Sequence, residues 1–168
     1  MIVGIDPGPR ESAIVAFDGE RVLSAEDVAN DSVLDAIGFI QRQTPLGIDD
    51  VAIEWIESFG MAVGASTFET VFAIGQIATR LQWNNYNLRL VPRRDVKLNI
   101  CKSPKAKDAN IRQALIDRFG EVGTKKSPGP LIGISKHRWA ALAIAVTAFD
   151  LPKTDNEAFF HLEPTDAS

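Results

Sequence analysis

The sequence predicts an α/β fold with a mixed central β-sheet: an N-terminal three-strand antiparallel meander, then parallel strands, with helices on both faces. Three observations carry this. Three short apolar segments separated by turn residues fill the first 25 positions before any helical pattern begins. Two further apolar runs of strand length each follow a stretch of helical periodicity. The remaining periodic segments are all helical. A meander placed before any crossover separates this order from the doubly wound nucleotide-binding folds.

Taken in order, residues 1–5 form an apolar run that stops at Asp6-Pro7-Gly8-Pro9, a strong turn signal. Residues 12–17 make a second strand, Asp18-Gly19 a hairpin turn, and residues 21–24 a third strand. Val33, Leu34, Ile37 and Ile40 have helical spacing and predict a helix over 30–43, with Asn30 or Asp31 as cap and Pro45 and Gly47 as terminators. Residues 51–54 read as a buried strand that extends at most to Ile56, and 58–66 as a glycine-containing loop. A helix opens at Thr67 and runs to about Trp83, where Asn84-Asn85 breaks it. Residues 88–91 are a further strand, and Pro92 begins a short helical stretch through Lys97. Ile111, Leu115 and Phe119 recur every four residues and predict an amphipathic helix over 105–119, ended by Gly120. Residues 124–133, rich in Gly, Pro and Lys, are expected to be a loop. Ser135 is expected to cap a last helix to Phe149, whose Ala141, Leu142, Ala145 and Val146 suit close packing. One domain over residues 1–152 and a polar, acidic tail over 153–168 are expected, with Phe159-Phe160 available to dock.

A chain of 168 residues can bury about two-thirds of its extended surface without a metal or disulfide staple. With 45% hydrophobic and 24% charged residues, wholesale disorder is excluded. The net charge of −4 argues against a nucleic-acid partner only until it is divided by position. Between Arg80 and Arg138 there are 14 basic side chains against four acidic ones, so that block carries +10 and the rest of the chain −14. Cys101 is alone, which excludes an intrachain disulfide and a cysteine zinc cage. No secretory signal is visible, and the longest apolar run, residues 139–149, is too short to span a bilayer. A soluble, cytoplasmic protein without a membrane partner is the expectation.

Asp6 ends an apolar strand ahead of Pro7-Gly8, where the backbone is open to close approach. It suits either an Asx turn or a metal carboxylate on a rigid strand end. Glu54 also ends an apolar strand, among Ile53, Trp55 and Ile56, where burial needs a cation or a hydrogen-bond network in compensation. Two such carboxylates form the simplest pattern for Mg²⁺, with Glu57 one loop-step further on. His137, in the first turn of the last helix, is either a surface histidine or a third arm of that site. His161 lies in the acidic tail and carries no such expectation. In the basic block, Arg93, Arg94 and Lys97 lie beside Pro92. Lys102, Lys105 and Lys107 precede or open a helix whose free N–H groups favour phosphate, and Arg112 continues along it. No zinc finger, Walker A loop or dinucleotide glycine fingerprint is present.

Together these segments resemble the RuvC-like Holliday junction resolvases, particularly bacteriophage and prophage members, within the ribonuclease H-like superfamily. Gly4-Ile5-Asp6-Pro7-Gly8 resembles the first active-site strand of that family. Ile53-Glu54 with the later Gly75-Gln76 resembles its second, Arg93-Arg94-Asp95-Val96-Lys97 and Lys105-Ala106-Lys107 its basic segment, and residues 137–147 its C-terminal active-site helix. The likeness covers roughly residues 1–150. It implies a ribonuclease H-like fold and a metal-dependent endodeoxyribonuclease that resolves four-way junctions by paired phosphodiester hydrolysis, leaving 5′-phosphates. It also implies a homodimer using one or two Mg²⁺ per subunit, with Mn²⁺ able to substitute. Asp6, Glu54 and His137 fall on metal-linked positions, Lys107 on a lysine near the scissile phosphate, and Arg93, Arg94, Lys97 and Lys105 on the basic segment, which with Lys102 and Arg112 of the same basic block would hold the DNA. Ala140 stands where the family has a fourth acid. Either fewer carboxylates suffice, or Asp108 or Glu57 takes that place, or the chain binds junctions without cutting. Cleavage of branched or flap DNA is the enzymatic alternative.

Overall fold

The computed structural model describes residues 1–57 and 62–152. The tail expected over 153–168, including Phe159-Phe160 and His161, lies outside the described residues, as do positions 58–61 of the expected loop. The strands are β1 Ile2–Pro7, β2 Glu11–Phe17, β3 Val22–Ala29, β4 Asp50–Trp55 and β5 Leu88–Pro92. The helices are α1 Val33–Gln43, α2 Ala65–Trp83, α3 Arg93–Cys101, α4 Asp108–Phe119 and α5 Arg138–Asp150. The sheet order is β3-β2-β1-β4-β5, with β1–β2 and β2–β3 antiparallel and β1–β4 and β4–β5 parallel. This is the mixed, ribonuclease H-like sheet that the sequence predicts, with β1 at its centre.

Alternation along the strands divides the core in two. Val3, Ile5, Ile14, Ala16, Val51 and Ile53 face α1 and α2. On the other face, Ile2, Ala13, Val15, Phe17 and Ala52 pack against α3, α4 and α5. From Ala141 to Ala148, α5 is buried all round, because it lies directly over the central strands. Gly4 makes that approach possible: a Cβ there would lie 2.2 Å from the Ala141 carbonyl oxygen and 2.8 Å from the Ala145 Cβ.

Several boundaries differ from expectation for local reasons. β3 continues to Ala29 rather than stopping at Ser24, because as an edge strand it carries Glu26 and Asp27 without burying both of its faces. Asn30–Ser32 form a 3₁₀ turn, and α1 proper starts at Val33. α2 starts at Ala65, two residues before Thr67, and ends at Trp83, capped by Asn84 and followed by Asn85 in the left-handed region at φ 59°. α3 runs on to Cys101, where Lys102 closes it at φ 55°. α4 starts at Asp108, not Lys105, with the Asn110 side chain accepting from the Lys107 N–H at 2.9 Å. Ser135 does not cap α5. Its carbonyl accepts the Arg138 N–H, and His137 occupies the cap position. The 124–133 loop is pinned by Leu131, which is fully buried.

At the far end of α5, the buried Arg89 donates to the carbonyl of Ala148 and, at 3.2 Å each, to those of Leu151 and Pro152. The buried Asp50 carboxylate lies 4.0 Å from the same guanidinium. Among the described residues, no helix is long and apolar enough to cross a membrane.

Candidate active site

The parallel register of β1 and β4 pairs Gly4 with Ala52 and Ile5 with Ile53. One step further, Asp6 and Glu54 emerge side by side at the carboxyl ends of the two strands, on the face that carries α5. Both side chains are mostly covered, at 15% and 17% exposure. The turn behind Asp6 is tied down: the Gly8 N–H donates to Glu11 at 3.0 Å, and the Asn30 amide donates to the Gly8 carbonyl at 3.0 Å while accepting from the Ser12 hydroxyl at 2.7 Å.

Burial, the adjacent Glu54 charge and a hydrogen bond shared with Glu54 push the Asp6 carboxyl up to about 7, with Arg93 opposing. Two carboxylates this close cannot both stay ionised without a cation. They open into a cleft of about 540 Å³ also lined by Trp55, Glu57, Arg93, Asp108, His137 and Ala140. His137 Nδ1 is 3.7 Å from the Asp6 carboxylate, and the imidazole is otherwise open to solvent at 81% exposure.

The residues expected at a metal site therefore converge: Asp6, Glu54 and His137 share one cleft, and both proposed substitutes, Glu57 and Asp108, line it. Among the described residues, no three His, Cys, Asp or Glu side chains are already drawn together around a metal-sized point. Asp108 is instead turned to Arg93, whose guanidinium bonds it through Nη2 and donates to Glu54 Oε1 through Nη1 at 3.2 Å. Burial works against the Arg93 charge, yet Glu54, Asp108 and Asp6 together hold its proton more firmly than usual. The donors suit Mg²⁺ or Mn²⁺: oxygen-rich, anionic, and with two neighbours that need positive charge.

The other basic residues are more scattered. Lys107, the residue before α4, is exposed and stands beside the cleft without lining it. Arg94, Lys102 and Lys105 are exposed and Lys97 is half-buried. Arg112 stacks over the Trp139 ring at 5.1 Å, placing it beside the cleft wall that Trp139 and Ile111 build. Sequence reasoning did not foresee the place of Arg93 among the carboxylates. Nor did it foresee the Arg138–Asp27 ion pair at 2.9 Å, which ties the start of α5 to the edge strand.

No family model matches the chain, and no curated protein is significantly similar to it. Among solved structures, the RuvC of Thermus thermophilus superposes with a TM-score of 0.62 at 20% identity, over 87% of this chain and 91% of that one. The T. thermophilus RuvC in complex with a Holliday junction substrate gives 0.63 at 19%, over 87% and 90%. This chain has the RuvC-like fold. Within that RuvC-like frame, the cleft between β1, β4 and the start of α5 is where this chain gathers its titratable groups.

Proposed function

We propose that this protein is a metal-dependent, structure-selective endodeoxyribonuclease that resolves four-way DNA junctions as a homodimer. The observation that carries this reading is the Asp6–Glu54 pair, two neighbouring, mostly buried carboxyls at parallel strand ends that open into a cleft also lined by Arg93, Lys136 and His137. The RuvC-like frame supports it, as does the solved complex of T. thermophilus RuvC with a Holliday junction substrate.

In this reading Asp6 and Glu54 hold one or two Mg²⁺ or Mn²⁺ ions, with His137, Asp108 and Glu57 in the same cleft to complete the ligand set. The bound ion supplies Lewis-acid polarisation of the phosphodiester and a water nucleophile at neutral pH. His137, close to Asp6 and open to solvent, orients the attacking water or accepts its proton. Lys107 offsets charge developing on the phosphoryl oxygens, and Arg94, Lys97, Lys102, Lys105 and Arg112 hold backbone phosphates. Hydrolysis leaves 5′-phosphate ends. The homodimer has a face to use: Phe68, Phe72 and Trp83 stand exposed along one side of α2. Two-fold symmetry in protein and junction lets each copy cut one of two equivalent strands.

The test is cleavage of synthetic four-way junctions, flaps and forks with Mg²⁺, with Mn²⁺ and with chelator. The wild type is expected to nick the junction symmetrically with either metal, and Asp6→Asn to bind it without cutting. Equal cleavage of flaps and forks would remove the junction preference. Metal-independent binding with no cleavage by the wild type would leave a junction-binding protein, the outcome expected if Ala140 has disabled the site.

A further inference from the structure

We propose that Arg93 is a built-in counter-ion for the carboxylates of the cleft, displaced when metal binds and then free to take a DNA phosphate. The inference rests on the metal-dependent reading above and adds a coupling between its two ligands.

The position of Arg93 follows from the topology. β5 runs parallel to β4 with Trp55 opposite Pro92, so the first residue of α3 emerges beside the strand end that presents Glu54. From there one guanidinium reaches two carboxylates brought by different elements, Glu54 from β4 and Asp108 from the first turn of α4. A planar fork with donors on both sides can bridge them, which a single ammonium cannot do equally well. The cleft thus gathers Asp6, Glu54 and Asp108 around a positive charge that belongs to the protein.

That arrangement competes with a bound divalent ion for the same carboxylates. The Glu54 oxygen that accepts from Arg93 is turned to the guanidinium, and Asp108 is held against the same group. A doubly charged ion between Asp6 and Glu54 would also repel a guanidinium in contact with Glu54. Metal entry therefore favours the departure of Arg93 from Glu54. The Arg93 side chain is 31% exposed and lines the cleft, so it has a path into the open mouth. Its helix neighbour Arg94 is exposed. The exchange gives the metal the carboxylates and gives the phosphate Arg93. Because the same side chain opposes metal while it stays on Glu54 and favours DNA once released, metal and DNA each strengthen the binding of the other, by the same factor.

The experiment uses the full chain and reads binding rather than turnover. Free Mn²⁺ is followed by electron paramagnetic resonance during titration of wild type, Arg93→Gln, Arg93→Lys and Asp6→Asn without DNA. Junction affinity is measured by fluorescence anisotropy with and without Ca²⁺, with strand integrity checked on a denaturing gel. Loss of the counter-ion is expected to tighten Mn²⁺ binding by about five-fold in Arg93→Gln, with Arg93→Lys between it and the wild type. Ca²⁺ should strengthen junction binding in the wild type and do so less in Arg93→Gln. A side chain that only supported the fold would not tighten metal binding when removed. If the wild type and Asp6→Asn both fail to bind Mn²⁺, the metal-dependent reading falls and the counter-ion role with it. If the wild type binds Mn²⁺, Asp6→Asn does not, and Arg93→Gln binds no more tightly than the wild type, the counter-ion role alone is overturned.

Discussion

Replacing Gly4 by Ala adds one methyl group at the point where β1 and α5 come closest. The new Cβ would lie 2.2 Å from the Ala141 carbonyl oxygen and 2.8 Å from both the Cβ and the backbone nitrogen of Ala145. Ordinary contact begins at 3.4 Å, so the first approach is short by about 1.2 Å and the other two by about 0.6 Å. The obstructing oxygen and nitrogen are backbone, so no rotamer change relieves the clash and the helix itself must move. Overpacking of a filled core costs about 1–3 kcal/mol, and a clash with backbone belongs at the upper end. At roughly 2–4 °C per kcal/mol for a chain of this size, the melting temperature should fall by about 6–12 °C. Gly75→Ala is the control. It adds the same methyl in the exposed middle of α2, where nothing lies within 4 Å, and should gain about 1 kcal/mol from helix propensity. Calorimetry on the two variants in parallel measures both. The retreat of α5 also carries His137 away from Asp6, so the folded fraction of Gly4→Ala should cleave more slowly. A Gly4→Ala protein that melts with the wild type would refute the close packing of β1 on α5 and the site geometry that depends on it.

The cleft charges and the Arg89 clamp give further expected outcomes. The Asp6 carboxyl is pushed up to about 7, so its proton is held more tightly in the folded chain than in the unfolded one. Its stabilisation is fully present below the ordinary carboxylate range and is lost as pH rises towards 7, by at most ~4 kcal/mol. Denaturant midpoints in chelator should therefore fall between pH 5 and pH 8, the fall should flatten in Asp6→Asn, and Mg²⁺ should restore stability at pH 8 but not at pH 5. A fall of the same size in Asp6→Asn would assign the slope to other groups. Ala140 lines the cleft, so Ala140→Asp should place a further carboxylate within it and raise metal-dependent cleavage several-fold. No gain in that assay would indicate that Asp108 or Glu57 already serves. Arg89→Ala removes the clamp on Ala148, Leu151 and Pro152 and the guanidinium 4.0 Å from the buried Asp50 carboxylate, and should cost about 3 kcal/mol in urea unfolding. An Asp50→Asn, Arg89→Met double variant should recover part of that loss.

What the sequence made legible follows from what is local. Asp6 and Glu54 stand out because each ends an apolar run, a pattern carried by a handful of neighbouring residues, and the parallel pairing of β1 with β4 then sets them side by side. The second half of β3 was hidden because Glu26 and Asp27 interrupt the apolar signal, which an edge strand can tolerate. The role of Arg93 was hidden for a different reason. Its residue type and position beside Pro92 suggest phosphate binding, whereas its actual neighbours depend on β5 lying next to β4 and on α4 returning to the same strand ends. No window of sequence contains that information. Ala140 belongs to a third kind: an alanine on a buried helix attracts no notice on its own, and only likeness to a family made it a departure.

The Arg89 clamp gives α5 a fixed far end. From His137 at its start to Asp150 at its close, the helix is about 20 Å long and lies rigidly across the sheet. A fluorophore attached at position 152, where Arg89 holds the chain, would therefore sit at a set distance from the cleft without touching it. Paired with a dye on one arm of a junction, it would make the helix a molecular ruler, reporting where each DNA arm lies relative to the carboxylates before any strand is cut.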